Sequence, residues 1–284
     1  YSLYQTRSNT SGKMKWIILS AFLALCLAQL DTDKTPGENF DLSNWKITLP
    51  DSSVSEKSPS QLETYTSDYF YTGGDGSMTF YCPSNGGTTK GSSYPRSELR
   101  QLCNPSNDND NWHIDGKHIM KATLKVDRAK TAASKVVVLQ IHAFDAPPLI
   151  KIQWESSGTI YALYKENKDG DDAPKVTLGS VGYGRFDMEI HVDDGDLLVY
   201  LDGEKKLDVD VSKYWGSFTN YFKAGNYLQA NSGDQYSTVR FYSLEVTGEG
   251  SCSEDPQSRA ANTSSAMSTI VSLFALLLCI LVQL

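Results

Sequence analysis

Cysteine, histidine and surplus positive charge are all scarce in this chain. Its 284 residues hold five cysteines and four histidines. No two cysteines form a C-x-x-C pair and the histidines are scattered, so no zinc site is expected. Lysine and arginine number 26 against 34 acids, a net charge of -8. That balance argues against a nucleic-acid binder working through bulk electrostatics. It offers no global attraction to an acidic polymer either, so any polyanion site must be a local basic patch. There is no internal repeat and no long amphipathic helical pattern. The acidic stretch "KENKDGDDAPK" lacks the spacing of a calcium loop and reads as a solvated hairpin turn, as does "NPSNDNDN".

Long apolar runs are confined to the two ends. Met14-Lys15 opens "WIILSAFLALCLA", which closes in small residues around Ala28. This is the pattern of a secretory signal, so residues 1–28 are read as upstream sequence plus signal peptide, with Met14 the initiator. At the other end "STIVSLFALLLCILVQL" has no basic residue after it, unlike a stop-transfer segment. The polar stretch before it, residues 249–262, carries small residues near Ala261 and Asn262. Residues 263–284 therefore read as a GPI-attachment signal, with a retained tail anchor as the alternative. The expected location is extracellular and tethered to the cell surface, with the lipid anchor as the sole membrane contact. If both signals are removed, Cys82, Cys103 and Cys252 remain. A Cys82–Cys103 bridge is expected because both flank one short segment, which leaves Cys252 free or paired between chains.

What is abundant lies between the ends. The chain is 40% hydrophobic and holds 16 tyrosines, enough for a sizeable core. Residues 38–248 read as one domain of short alternating runs, among them "KHIMKATLKVD", "KVVVLQIHAF", "RFDMEIHVD" and "LLVYLDG". Asp194-Gly195 and Asp202-Gly203 are hairpin signals between such runs. The expectation is an all-β fold, an antiparallel sandwich or barrel.

Three of the runs carry polar residues where one face should be bland. "YFKAGNYLQ" aligns Tyr221, Lys223, Gly225, Tyr227 and Gln229 on one face, since a strand points alternate side chains the same way. "RSELR" aligns Arg96, Glu98 and Arg100, and "QIH" aligns Gln140 and His142. Each alone has a plain explanation as a solvated or salt-bridged face. If the three strands are neighbours, they floor a groove suited to a chain of carboxylates. Tyrosine and histidine can move protons there. The paired acids of glycoside hydrolysis are missing: Glu98 is the lone carboxylate on these faces and sits between arginines. A uronic-acid polymer can instead be cut by neutralising its carboxylate, removing the C5 proton and breaking the C4–O bond.

These blocks, "RSELR" (96–100), "QIH" (140–142) and "YFKAGNYLQ" (221–229), resemble in order and spacing the signature blocks of the alginate lyases of polysaccharide lyase family 7. "FDLSNWKITLP" and "RFYSLEVTG" extend the resemblance over essentially the whole domain. It implies a β-jelly roll of the antiparallel sandwich type, with a concave groove that binds alginate, and no cofactor or metal. It implies Arg96, Gln140 and His142 as neutralisers of the substrate carboxylate, with Tyr227 as proton donor and, for some linkages, base. His142 is implied as base where proton and leaving group depart from opposite faces. Arg100, Lys223, Gln229 and Tyr221 would bind neighbouring sugars, with Glu98 holding the arginines. Gly225 would leave room for a sugar ring. Tyrosine ordinarily ionises near about pH 10, so acting as base requires cations such as Arg96 and Lys223 nearby. The "QIH" form of the second block implies a leaning toward guluronate-containing stretches, although Ile141 itself should point into the core. A monomer is expected. The other readings are a lyase for another polyuronate such as glucuronan, or a lectin-like module that holds uronates without cutting them. A structural wall protein would not need this polar face.

Overall fold

A computed structural model describes residues 30–169 and 175–248. The terminal signals proposed from sequence, and Cys252, lie outside the described residues. Short strands dominate because the sequence alternates at period two and is cut by turns every few residues. In chain order they are β1 (Trp45–Thr48), β2 (Glu56–Lys57), β3 (Phe70–Thr72), β4 (Met78–Pro83), β5 (Arg96–Gln101) and β6 (Trp112–His113). Next come β7 (Lys117–Val126), β8 (Lys135–Ala143), β9 (Pro148–Glu155), β10 (Thr159–Tyr164) and β11 (Val176–Ser180). The series ends with β12 (Phe186–Asp193), β13 (Asp196–Leu201), β14 (Glu204–Asp210), β15 (Thr219–Leu228) and β16 (Tyr236–Gly248). The described α-helices are single turns, such as Pro36–Asn39, which starts with proline in its first turn and a Thr35/Glu38 capping box.

The strands form two antiparallel sheets packed face to face, a jelly-roll type β-sandwich. One sheet runs β11-β10-β9-β8-β15-β5-β1-β2, with β6 also pairing β15; the other runs β14-β13-β12-β7-β16-β4-β3. Between them lies a core that includes Phe70, Met78, Phe80, Leu99, Leu139, Ile141, Phe222 and Phe241, all without solvent exposure. Phe80 packs edge-on against Phe241 at 5.4 Å between ring centroids, a favoured aromatic geometry. The two Asp-Gly hairpins form as read from sequence. Asp194 and Gly195 have φ of 48° and 92°, and Asp202 and Gly203 have 50° and 78°, the double left-handed backbone that tight hairpin turns require.

The expected Cys82–Cys103 bridge is not there. Cys82 is a free thiol facing the core, because even-numbered positions of β4 point inward with Met78 and Phe80. Cys103 is disulfide-bonded, to a partner outside the described residues. The stretch "NPSNDNDN" is also more than a solvated turn. Asn111 is fully buried, and Arg100 donates to Asp108 O at 2.6 Å and to Asn111 Oδ1 at 3.0 Å.

Candidate active site

The strands carrying the three polar faces are neighbours. β15 lies between β8 and β5, and the register sets Lys223 opposite Arg100 and Gln140, Tyr221 opposite His142, and Tyr227 opposite Arg96. Their core-facing residues alternate as expected, with Leu99, Ile141, Phe222 and Ala224 fully buried. The polar set therefore faces outward together, onto a cleft of about 720 Å³ lined by Arg96, Arg100, Gln140, His142, Tyr221, Lys223, Tyr227 and Gln229.

Glu98 is the exception. Its side chain is fully buried beneath the floor, and it organises the groups above. Lys223 Nζ lies 2.6 Å and Arg96 3.2 Å from Glu98 Oε2, while Gln140 Nε2 donates to Oε1. The expectation that Glu98 holds both arginines is therefore half right. Lys223 takes the second place: the register sets it opposite Arg100, two residues along from the Gly225–Glu98 pair, and its Nζ reaches the carboxylate from the adjacent strand. Arg100 instead ties the 104–111 loop down and stacks on the Tyr221 ring at 4.0 Å. Gly225 does not make space for a sugar. A Cβ there would lie 2.7 Å from Ser97 O and 2.8 Å from Glu98 Cα, and its φ is 148°. It serves the close approach of β5 to β15, beside an irregularity in the β15–β8 register between Ala224 and Tyr227.

The electrostatics follow from burial and from this hub. Burial pushes the Glu98 carboxyl up, but Lys223 and Arg96 outweigh it and hold the group below its usual range. Burial lowers Lys223 to about 8, against the pull of Glu98. His142 is lowered to about 4, first by burial and then by Lys223, so its imidazole is neutral at neutral pH. His142 Nδ1 lies 2.7 Å from Ala143 O. A carbonyl only accepts, so Nδ1 carries the hydrogen and Nε2 is left as a basic lone pair. The ring stacks on Tyr221 at 5.4 Å and 11°. The Arg96 guanidinium sits 3.9 Å from the centre of the Tyr227 ring, and its Nε is buried without a partner among the described residues. Asn226, between Gly225 and Tyr227, turns inward and bonds across the sandwich to Phe80 O at 3.1 Å and Ser237 O at 2.8 Å.

The cleft also contains residues that the sequence reading passed over: Lys46, Thr48, Glu56, Lys90, Ser92, Tyr94 and Lys151. Most lie on loops or short edge strands, where no period marks a face. Ser92 and Tyr94 stand just before "RSELR", so proximity to that block was the available signal.

A cleft of cations, a neutral imidazole and a phenol, with Glu98 buried beneath its floor and Glu56 paired to Lys46 at 3.0 Å, defines a class: an enzyme that acts on a polyanion by acid–base chemistry. Comparison with known proteins makes this specific. A family model described as alginate lyase matches residues 40–248. The crystal structure of the alginate lyase A1-II', a member of polysaccharide lyase family 7, is similar with a TM-score of 0.72 and 40% identity, covering 76% of this chain and 99% of that one. Further structures of that relative are complexes with a GGG product and a GGMG substrate. The alginate lyase of Pseudomonas aeruginosa has a TM-score of 0.68 and 32% identity over 74% of this chain and 100% of that one. An alginate lyase of Klebsiella pneumoniae is 27% identical over 75% of this chain and 91% of its own length. The chain belongs to the alginate lyases of polysaccharide lyase family 7.

Proposed function

We propose that this lyase cleaves alginate by β-elimination, with Arg96, Gln140, His142 and Tyr227 as its reacting constellation. The observation that carries the reading is the His142 tautomer, with Nδ1–H committed to Ala143 O and Nε2 free in a cleft shared with Arg96 and Tyr227. Arg96 and Gln140 neutralise the substrate carboxylate, which acidifies the C5 proton. His142 Nε2 removes that proton, the electron pair forms the C4=C5 double bond, and the C4–O bond breaks. The departing oxygen takes the phenolic proton of Tyr227. Proton exchange with water restores both groups. Lys223, Arg100, Tyr221 and Gln229 hold the neighbouring uronates, with Glu98 acting from beneath.

Opposite-face elimination needs a base distinct from the acid, which the His142/Tyr227 pair provides. This favours guluronate-containing blocks. Ile141 has no solvent exposure, so any influence on that choice acts through the strand that carries Gln140 and His142. Incubation with alginate, polyglucuronate and pectate, following the ultraviolet absorbance of the unsaturated product, tests the substrate class. Initial rates on purified polyguluronate, polymannuronate and mixed blocks test the preference, and a clear polymannuronate preference would overturn it. The terminal sequences support secretion with a GPI tether. Release of activity from cells by a phosphatidylinositol-specific phospholipase is expected, and retention would favour the tail anchor.

A further inference from the structure

The Tyr227 hydroxyl has one hydrogen-bond partner among the described residues, Ser92 Oγ at 3.1 Å, and a hydroxyl pair at that distance leaves open which one donates. The other contacts of Ser92 settle it. Ser92 Oγ lies 3.0 Å from Tyr94 O, a carbonyl that only accepts, so the single Ser92 hydrogen is spent there. Tyr94 N–H donates to Ser92 Oγ at 3.2 Å. One lone pair remains, and Tyr227 O–H must fill it. Ser92 is thus locked as an acceptor facing the phenol.

We propose that Ser92 is a positioning residue that holds the Tyr227 O–H in place, its hydrogen ready to pass from Ser92 Oγ to the departing oxygen, so that Tyr227 serves as acid and leaves the base to His142. The proposal rests on the roles given above to these two residues. Ser92 has no hydrogen to offer an anion at that position unless it breaks from Tyr94 O. The charged groups on the same site do not replace it. Arg96 of β5 lies over the ring face rather than at the hydroxyl. Glu98 is buried and committed to Arg96, Lys223 and Gln140. Lys90 and His142 line the cleft without a hydrogen bond to the hydroxyl among the described residues. The consequence is selectivity: opposite-face elimination uses Tyr227 only as acid, whereas same-face elimination asks it to give up its proton first. Ser92 favours the former.

The test compares the parent with Ser92→Ala and Ser92→Thr on purified polyguluronate and polymannuronate. In Ser92→Ala, kcat on polyguluronate should fall about threefold to tenfold, the effect of one ordinary hydrogen bond, with KM within about twofold of the parent. The polymannuronate to polyguluronate rate ratio should rise, and Ser92→Thr, which retains the hydroxyl, should restore the parent ratio. An unchanged ratio, an equal loss on both polymers, or a loss expressed in KM would overturn the proposal and make Ser92 a loop-fixing residue. The readout is the change in ratio on mutation. It therefore stays separate from the parent's own block preference, and a parent that prefers polymannuronate would refute the guluronate reading without touching this one.

Discussion

Replacing Glu98 by glutamine would leave Lys223 and Arg96 under the cleft without the anion they share. Removing one partner of a buried ion pair costs about 3–5 kcal/mol, so urea denaturation of Glu98→Gln at pH 7 should show a loss of that order. Its Lys223 should also lose its proton at lower pH than in the parent, since Glu98 is what pulls it up. The pH dependence of the parent follows from the same groups. Free-enzyme groups govern kcat/KM, which should fall as His142 protonates near pH 4 and again as Lys223 loses its charge near pH 8. Stability has a definite sign at the acid end. His142 titrates in the fold below its ordinary 6.5, so as pH falls from 6.5 through 4 the unfolded state takes the proton first and stability drops. Above 6.5 the ring is neutral in both states and contributes nothing. Glu98, held below its usual range, adds a further loss as pH falls through its own folded value. Much of this site was legible. Alternation put Arg96, Glu98 and Arg100 on one face, and the structure keeps them there. The choice between Arg100 and Lys223 as partner of Glu98 was not legible, because cross-strand register decides it and a strand's own sequence does not encode its neighbour.

At the scale of elements, the site depends on how closely β5, β15 and β8 lie together. Gly225→Ala would force a left-handed backbone on a residue with a Cβ and drive that atom against Ser97 O and Glu98 Cα. Strain of this kind costs about 1–3 kcal/mol. The melting temperature should fall, and kcat should fall further than stability alone explains, because Glu98 moves with the strand. Thermal unfolding and steady-state kinetics on the same preparation separate the two. The strands found from sequence, such as β7 and β12, alternate apolar and polar over six or more residues. Edge strand β14 escaped because most of its residues are exposed or only partly covered. β8 shows a subtler limit. It is buried along nearly its whole length, and its register with β9 shifts between Val137 and Leu139. Its parity changes there, so the face of Gln140 and His142 could be read from Leu139 onward but not from the start of the strand.

For the whole molecule, charge is distributed against the substrate. The chain carries a net -8, while the cleft gathers Arg96, Arg100, Lys90, Lys151 and Lys223. Long-range repulsion is screened once the Debye length falls to about 10 Å at 0.1 M salt, whereas contacts inside the partly buried cleft are screened far less. Raising salt from about 0.01 to 0.1 M should therefore increase kcat/KM on a polyuronate, and a monotonic fall would show that cleft attraction dominates at all distances. The cysteine reading failed at this scale, since proximity in sequence carried no information about Cys82 facing the interior. Asn226 shows how far the sandwich as a whole reaches into the chemistry. Its amide bonds to Phe80 O and Ser237 O, and Ser237 Oγ donates back to it at 2.7 Å, so the residue beside Tyr227 is moored to the opposite sheet. The two layers cannot slide past one another without dragging the phenol with them. The far sheet, none of whose strands lines the cleft, is thereby the reference frame in which the Tyr227 hydroxyl is held still.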